Sequence, residues 1–442
     1  MYRILDPHAL PNVFRLIALL TLILFFQGCA ARRTLDVKKP PPLPSHPVEK
    51  IERNEFSIAK GEDIIGRLAL VRLEKGDTLP DIARHFSLGI NEISAANPGV
   101  DLWTPEAGER VVLPLSFILP DSPRRGIVIN LAAMRLFQFK ENGKSLTVST
   151  YPVGIGSAEK PTPRGQMYIS RKMFRPTWHV PASIADAHLK KGDPLPAIVP
   201  PGPDNPLGEY ALYLNEPTYL IHGTNKPASI GLNATNGCIR LYPESVKKLY
   251  EDTPVNTPVN IVDQPYLIGQ RNGVMYLEAH RPAGDSGAAG LKAIYTKLKN
   301  LEKQSSRKFD WRKVEDILSD SKGIPIPISE TRQGRGKGNG AVKAVEVRHP
   351  AKLYGKPEIP ELKMDAWYVL AADLSDRMDA ERTAAIINHQ GPPIPARVLP
   401  KGNRYRVIAG PFKDVNAAGN VVKRLKIDLE IEGLLIEPPR GS

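Results

Sequence analysis

Between Arg125 and Val262 glycine and proline punctuate the chain so often that only short ordered runs fit between them. The segments IVINLAAMRLFQF, SLTVSTYPVGIG, QMYISRKMF and YALYLN divide into strand-length pieces bounded by turn formers. Helix signals are sparse there apart from Glu244 to Tyr250. A mostly β domain is expected over this stretch.

The whole chain has 442 residues, 41% of them apolar. That exceeds what one hydrophobic core usually serves, so a multidomain protein is expected. The formal charge of +13 is spread along the chain, with a mild excess from about 330 to 365. No C-x2-C zinc pattern, aromatic RNA-binding signature or Walker-type glycine loop accompanies it, which argues against nucleic acid as a partner.

Two cysteines, Cys29 and Cys238, stand far apart and in different surroundings, so no structural disulfide is expected and each needs its own explanation. Residues 13–26 (VFRLIALLTLILFF) follow Arg3 and end at Gln27, Gly28 and Cys29. Interrupted by Arg15, the run is short for a span of about 20 residues and reads as a signal peptide over 1–29. A small residue directly before the cysteine resembles a bacterial lipobox, with Phe26 and Gln27 departing from the usual residues. The resemblance implies lipidation of Cys29 and an anchor in the cell envelope; Ala30 in place of aspartate implies the outer membrane where the host has one. Residues 30–66, proline-rich from Lys39 to Pro47, then read as a tether.

Residues 67–115 carry a strand at Val71 to Leu73, a Gly76-Asp77-Thr78 turn, and a helix with Leu79, Ile82, Ala83 and Phe86 on one face. A second helix with Ile90, Ile93 and Ala96 stops at Asn97-Pro98-Gly99, and Arg110 to Leu113 closes the unit as a strand. This order, with K-G-D-T-L and N-P, resembles a LysM module, which implies binding to N-acetylglucosamine-containing glycans. A small structural α+β domain is the plainer reading.

Residues 282–365 read as a basic linker holding one helix, LKAIYTKLKNLEKQ, and the glycine-rich run Arg332 to Gly340. Residues 366–438 alternate strand, helix, strand, helix, strand through WYVLAADL, Asp379 to Asn388, YRVIAGPF, Ala417 to Leu425 and Leu434 to Ile436. That order with Y-R-V-x-x-G-P-F resembles a SPOR domain, an α+β, ferredoxin-like fold that implies binding to denuded peptidoglycan glycan. A generic ferredoxin-like interaction domain is the alternative.

The segment IHGTNKPASIGLNATNGCIRLY, Ile221 to Tyr242, carries the chemistry. An unperturbed thiol near pKa 8.5 is only a few per cent ionised at pH 7, so a nucleophilic Cys238 needs a base, and a histidine such as His222 can supply one at neutral pH. Gly237 lets the backbone approach closely, so that N–H groups near Cys238 can face an oxyanion. A buried core cysteine beside a loop histidine is the bland alternative. His179 and His188 have no paired ligand spacing and read as surface or packing residues, and neither a metal nor an organic cofactor is expected.

H-G-T, the S-I-G that follows, and T-x-G-C-I-R closely match the YkuD-type L,D-transpeptidase signature, and the resemblance spans 124–263 with an extension over 264–281. It implies a β-sandwich with the cysteine at the end of a groove under a flap. It also implies Cys238 as nucleophile, His222 as base, and Gly223, Thr235, Asn236, Gly237 and Arg240 as residues that shape the groove and oxyanion site. Asn236 stands where many members carry histidine. The implied reaction is attack of Cys238 on the carbonyl preceding the terminal D-Ala of a tetrapeptide stem, then transfer of the acyl group to an amine. Peptidoglycan stem peptides and glycan strands are the implied partners; an inactive binding scaffold and an L,D-carboxypeptidase are the alternatives.

Overall fold

The computed structural model describes residues 50–143, 145–282, 286–305, 308–329 and 344–439. The proposed signal peptide, Cys29, most of the tether and the Arg332 to Gly340 run lie outside the described residues.

Nine strands form the central sheet, and the long strand Gly165–Phe174 joins its two halves. Its first four residues pair with Pro258–Val262, and its second half pairs with Tyr210–Leu214. The halves close on one core. Ile127, Ile129, Leu136 and Tyr151 from one half meet Leu212, Ile221 and Ile239 from the other, with Val246 and Leu249 of helix Pro243–Asp252 between them. The mostly β expectation therefore holds here, in the two-layer form that buries one face of each half.

The first half is buried on its other face as well. Val128, Phe137, Phe139 and Val148 alternate with the residues just named and pack against Leu79, Ile82, Phe86 and Ile93 of the preceding βααβ unit. In that unit strand Ala69–Arg72 pairs antiparallel with Arg110–Leu113, and helices Leu79–His85 and Ile90–Ala96 lie between them in sequence. Thr78 caps the first helix by accepting the Asp81 N–H at 3.2 Å. Asn97 stops the second as expected: its amide donates to Ile93 O and Val112 O, both at 2.8 Å, and sutures the helix end to the closing strand.

An ion pair ties the βααβ unit to the sheet. Arg135 donates twice to Glu92, both bonds at 2.6 Å, and its guanidinium lies 4.1 Å from the centre of the Phe117 ring. Neither side chain is more than 7% exposed.

Two sequence boundaries need correction. The tether ends earlier than residue 66, because Glu55–Ile58 forms the edge strand of the central sheet and Ile64–Gly66 pairs with Ser116–Ile118. Phe56 brings apolar area to the core. The stretch 282–365 is also more than a linker: helices Ser286–Ser305 and Trp311–Asp320 pack on hairpin Tyr266–Arg271/Val274–Ala279, and Val345–Val347 adds a parallel strand beside Ala69–Arg72.

The C-terminal sheet orders Ala396–Lys401, Arg404–Phe412, Trp367–Leu374 and Leu434–Ile436, with helices Arg377–Asn388 and Val415–Leu429 packed through Val369, Ala384, Val407, Val421 and Leu425. Its alternation follows the expected order, with Ala396–Lys401 as an added strand. This domain docks on the βααβ unit through Arg382–Asp101 at 2.8 Å and His389–Asp81 at 3.0 Å.

Candidate active site

His222 ends strand Leu220–His222, and Cys238 immediately precedes strand Ile239–Arg240. The two strands pair in parallel, Ile221 opposite Ile239 and His222 opposite Arg240. Alternation sends Ile221 and Ile239, both 0% exposed, into the core. Leu220, His222, Cys238 and Arg240 are left on the opposite face of the sheet. Sheet register therefore places two side chains that are sixteen positions apart in sequence on one face of neighbouring strands, with Arg240 opposite His222.

The cysteine loop is held from behind. Thr235 Oγ1 donates to the Cys238 carbonyl at 2.7 Å and accepts the Gly237 N–H at 3.1 Å. Gly237 has φ +103°, and a Cβ there would lie 2.7 Å from the Tyr219 ring, so both its conformation and its packing require glycine. Cys238 Sγ faces the Thr218 carbonyl at 3.6 Å, and the Leu220 backbone also bonds to it. Asn236 is exposed on the loop.

The His222 ring is buried, and its Nδ1 lies 2.7 Å from the Gly223 carbonyl. Donation from Nδ1 leaves Nε2 as the acceptor nitrogen. Burial, aided by the Arg240 charge and opposed by the carbonyls of Gly223 and Leu207, pushes the imidazole down to about 3. Burial pushes the Cys238 thiol up, against the Leu220 backbone and Arg240, which pull it down. Both shifts favour the neutral forms, thiol and imidazole. Burial, which disfavours the charged form of each group, is the physical reason.

Arg240 Nη1 donates to Ser229 Oγ at 3.0 Å, which gives the serine of the S-I-G stretch a place in the site. Gly231 of the same stretch has φ +88° and packs on Asn91, while Ile230 O accepts the Ile90 N–H at 3.0 Å. S-I-G therefore joins the site to the βααβ unit.

Asn205, a residue no motif marks, is fully buried where the excursion between Phe174 and Tyr210 returns to the sheet. Its amide donates to Pro176 O at 2.9 Å and its Oδ1 accepts the Leu207 N–H at 2.9 Å, which fixes the segment that faces His222. Helix Ala182–Lys190 of that excursion has no buried residue. His179 is exposed, and His188 pairs with Asp193 at 2.9 Å. Among the described residues no group of three or more His, Cys, Asp or Glu converges as metal ligands would.

Residues 124–261 match the L,D-transpeptidase catalytic domain. Over 289 residues the chain is 35% identical to the probable L,D-transpeptidase ErfK/SrfK of Salmonella typhimurium, covering 62% of this chain and 91% of that one. The chain belongs to the L,D-transpeptidase family. Another member, the probable L,D-transpeptidase YbiS of Escherichia coli, is 39% identical over 232 residues, covering 52% of this chain and 75% of the other. The putative L,D-transpeptidase YkuD of Bacillus subtilis is 30% identical over 192 residues, covering 43% of this chain and 96% of the other. Beyond the L,D-transpeptidase domain, residues 363–436 match the SPOR domain.

Proposed function

We propose that the protein is a peptidoglycan L,D-transpeptidase in which Cys238 is the nucleophile and His222 the base. The observation that carries the assignment of roles is the parallel pairing that puts both side chains on one sheet face, beside Arg240 and away from the core. Nε2 of neutral His222 takes the thiol proton as Sγ attacks the carbonyl of the L-centre preceding the terminal D-Ala. The oxyanion meets backbone N–H groups of the loop turned by Gly237. The imidazolium then returns its proton to the departing D-Ala amine, leaving a thioester on Cys238. An acceptor amine displaces the thioester; its proton passes through His222 to the released sulfur.

Arg240 supports the charge that develops on sulfur, and Thr235 keeps the loop in register. Gly223 lets the chain pass close to Leu207, and Asn236 faces substrate from the exposed side of the loop. Water as the acceptor would give the L,D-carboxypeptidase outcome through the same thioester.

The two flanking domains fit one polymer. The βααβ unit, in its LysM-like form, and the SPOR domain would each hold glycan, and weak sites on one chain raise the local concentration of stems at Cys238. Lipidation at Cys29 would keep the enzyme in the cell envelope, at the outer membrane where the host has one.

Intact-mass analysis of soluble protein mixed with a tetrapeptide stem tests the roles. A covalent adduct with loss of D-Ala is expected on the native protein and not on Cys238→Ala, and His222→Ala slows its formation by about a hundredfold or more. An adduct of undiminished rate on either variant sinks the assignment.

A further inference from the structure

The sheet face that carries Cys238 continues across two more strands. Leu220, which precedes Ile221 as Cys238 precedes Ile239, is opposite Tyr213, and Tyr213 is opposite Arg171. One step along, Arg240, His222, Ala211 and Met173 form a second row. His222 and Ala211 in this second row are buried, whereas Leu220 and Tyr213 are half-buried and Arg171 is exposed. The open line from the nucleophile thus runs over Leu220 and Tyr213 and ends at a guanidinium.

A β-bulge sets that end point. The register between Gly165–Phe174 and Tyr210–Leu214 shifts between Ile169 and Arg171, so Arg171, and not Ser170, stands opposite Tyr213. Ser170 Oγ stabilises the bulge by donating to the carbonyls of Tyr213 at 3.1 Å and Leu214 at 2.9 Å. The Arg171 guanidinium lies 3.5 Å from the centre of the Tyr213 ring. Its neighbours Arg164 and Arg175 stand against Asp263 and Glu209, but among the described residues no carboxylate pairs with Arg171. Stacking fixes the plane of the guanidinium and leaves its N–H edge to meet an outside acceptor.

We infer that Arg171, held on Tyr213, is a specificity-determining residue that binds a free carboxylate of the acyl-donor stem peptide. The inference rests on the transpeptidase reading for the identity of the donor. From Cys238 to Tyr213, over whose ring the Arg171 guanidinium lies, the row crosses two strand spacings of about 4.8 Å each. An extended peptide covers about 3.3–3.6 Å per residue, so a donor whose scissile carbonyl sits at Sγ brings its preceding residues to the arginine. A donor with an acidic residue upstream of that carbonyl would present a free carboxylate there. A planar, always-charged fork suits a carboxylate better than lysine would.

Calorimetry of an acidic tetrapeptide stem, and of the same peptide with its upstream carboxylates amidated, tests the inference on the full soluble chain carrying Cys238→Ala. Arg171→Gln is expected to weaken the acidic peptide about tenfold, an effect of one charge-assisted hydrogen-bonded pair, and to leave the amidated peptide unchanged. Arg171→Lys recovers part of the loss. Equal loss for both peptides, no change for either, or no binding to the protein that retains Arg171 overturns the inference. Thioester formation on native Cys238 is read separately by intact mass. Arg171-dependent binding without a thioester would sink the transpeptidase reading and leave the carboxylate site; a thioester with Arg171-independent binding would do the reverse.

Discussion

Thr235 holds Cys238 by a single hydroxyl, donating to the cysteine carbonyl at 2.7 Å while accepting the Gly237 N–H at 3.1 Å. Cys238, the proposed nucleophile, stands just outside the strand ladder, so this side chain fixes its backbone where sheet hydrogen bonds do not. Thr235→Val keeps the shape and removes both bonds. Because small misplacement of a reacting atom is costly, kcat/KM is expected to fall about a hundredfold. Stability should fall by about 2 kcal/mol, one for each of the two bonds lost. Steady-state kinetics beside a melting curve check this, and unaltered kcat/KM contradicts it.

At Gly237 the backbone itself is the constraint. Alanine there meets both a positive φ and the Tyr219 ring at 2.7 Å. Gly237→Ala is expected to destabilise the protein by about 2 kcal/mol or more and to abolish adduct formation at Cys238. Denaturant unfolding and intact mass read the two effects independently.

The buried histidine sets a pH dependence with a definite sign. Unfolded, the imidazole titrates near its ordinary 6.5; folded, it is held down at about 3. Between those values the unfolded chain binds the extra proton, so stability increases with pH across the window. His222's contribution is fully present above 6.5 and is lost as pH falls toward 3. His222→Gln should flatten the acid limb of a plot of unfolding free energy against pH. A limb of unchanged slope contradicts the burial argument.

The same burial predicts a sluggish free thiol. Cys238 is pushed up, so its alkylation by iodoacetamide should be slow at neutral pH and still rising beyond about pH 9, where an unperturbed thiol levels off. A plateau below neutrality would instead mean a resting thiolate–imidazolium pair.

Glu92 and Arg135 make the strongest stability prediction away from the site. Glu92→Ala strands a buried guanidinium that is 1% exposed and should cost about 3–5 kcal/mol, whereas Glu92→Leu with Arg135→Met should recover most of that. Chemical denaturation of the single and double variants checks both.

The sequence made some of this legible and hid the rest for physical reasons. His222 and Cys238 were legible as candidates because their flanking glycines and threonines serve local backbone geometry, which short motifs record. The helix signals at Thr78 and Asn97 were local too. Glu55–Ile58 was read as tether because an edge strand of four residues, EFSI, has little pattern of its own and gains its partner, Ser145–Pro152, about ninety residues later. Val345–Val347 escaped for the same reason, since its partner strand, Ala69–Arg72, lies far upstream. Arg135 and Glu92 carry no motif; only the fold brings them together. Asn205, Tyr219 and the Thr218 carbonyl act through backbone contacts to which no residue pattern points.

One product analysis tests the role of Cys238 most directly. Soluble protein lacking residues 1–30 is incubated with purified tetrapeptide muropeptides beside Cys238→Ala, and the products are resolved by mass spectrometry. Cross-linked dimers formed with loss of D-Ala by the native protein alone are the predicted result. Dimers formed equally by Cys238→Ala, or a native protein that leaves the muropeptides unchanged, would contradict it.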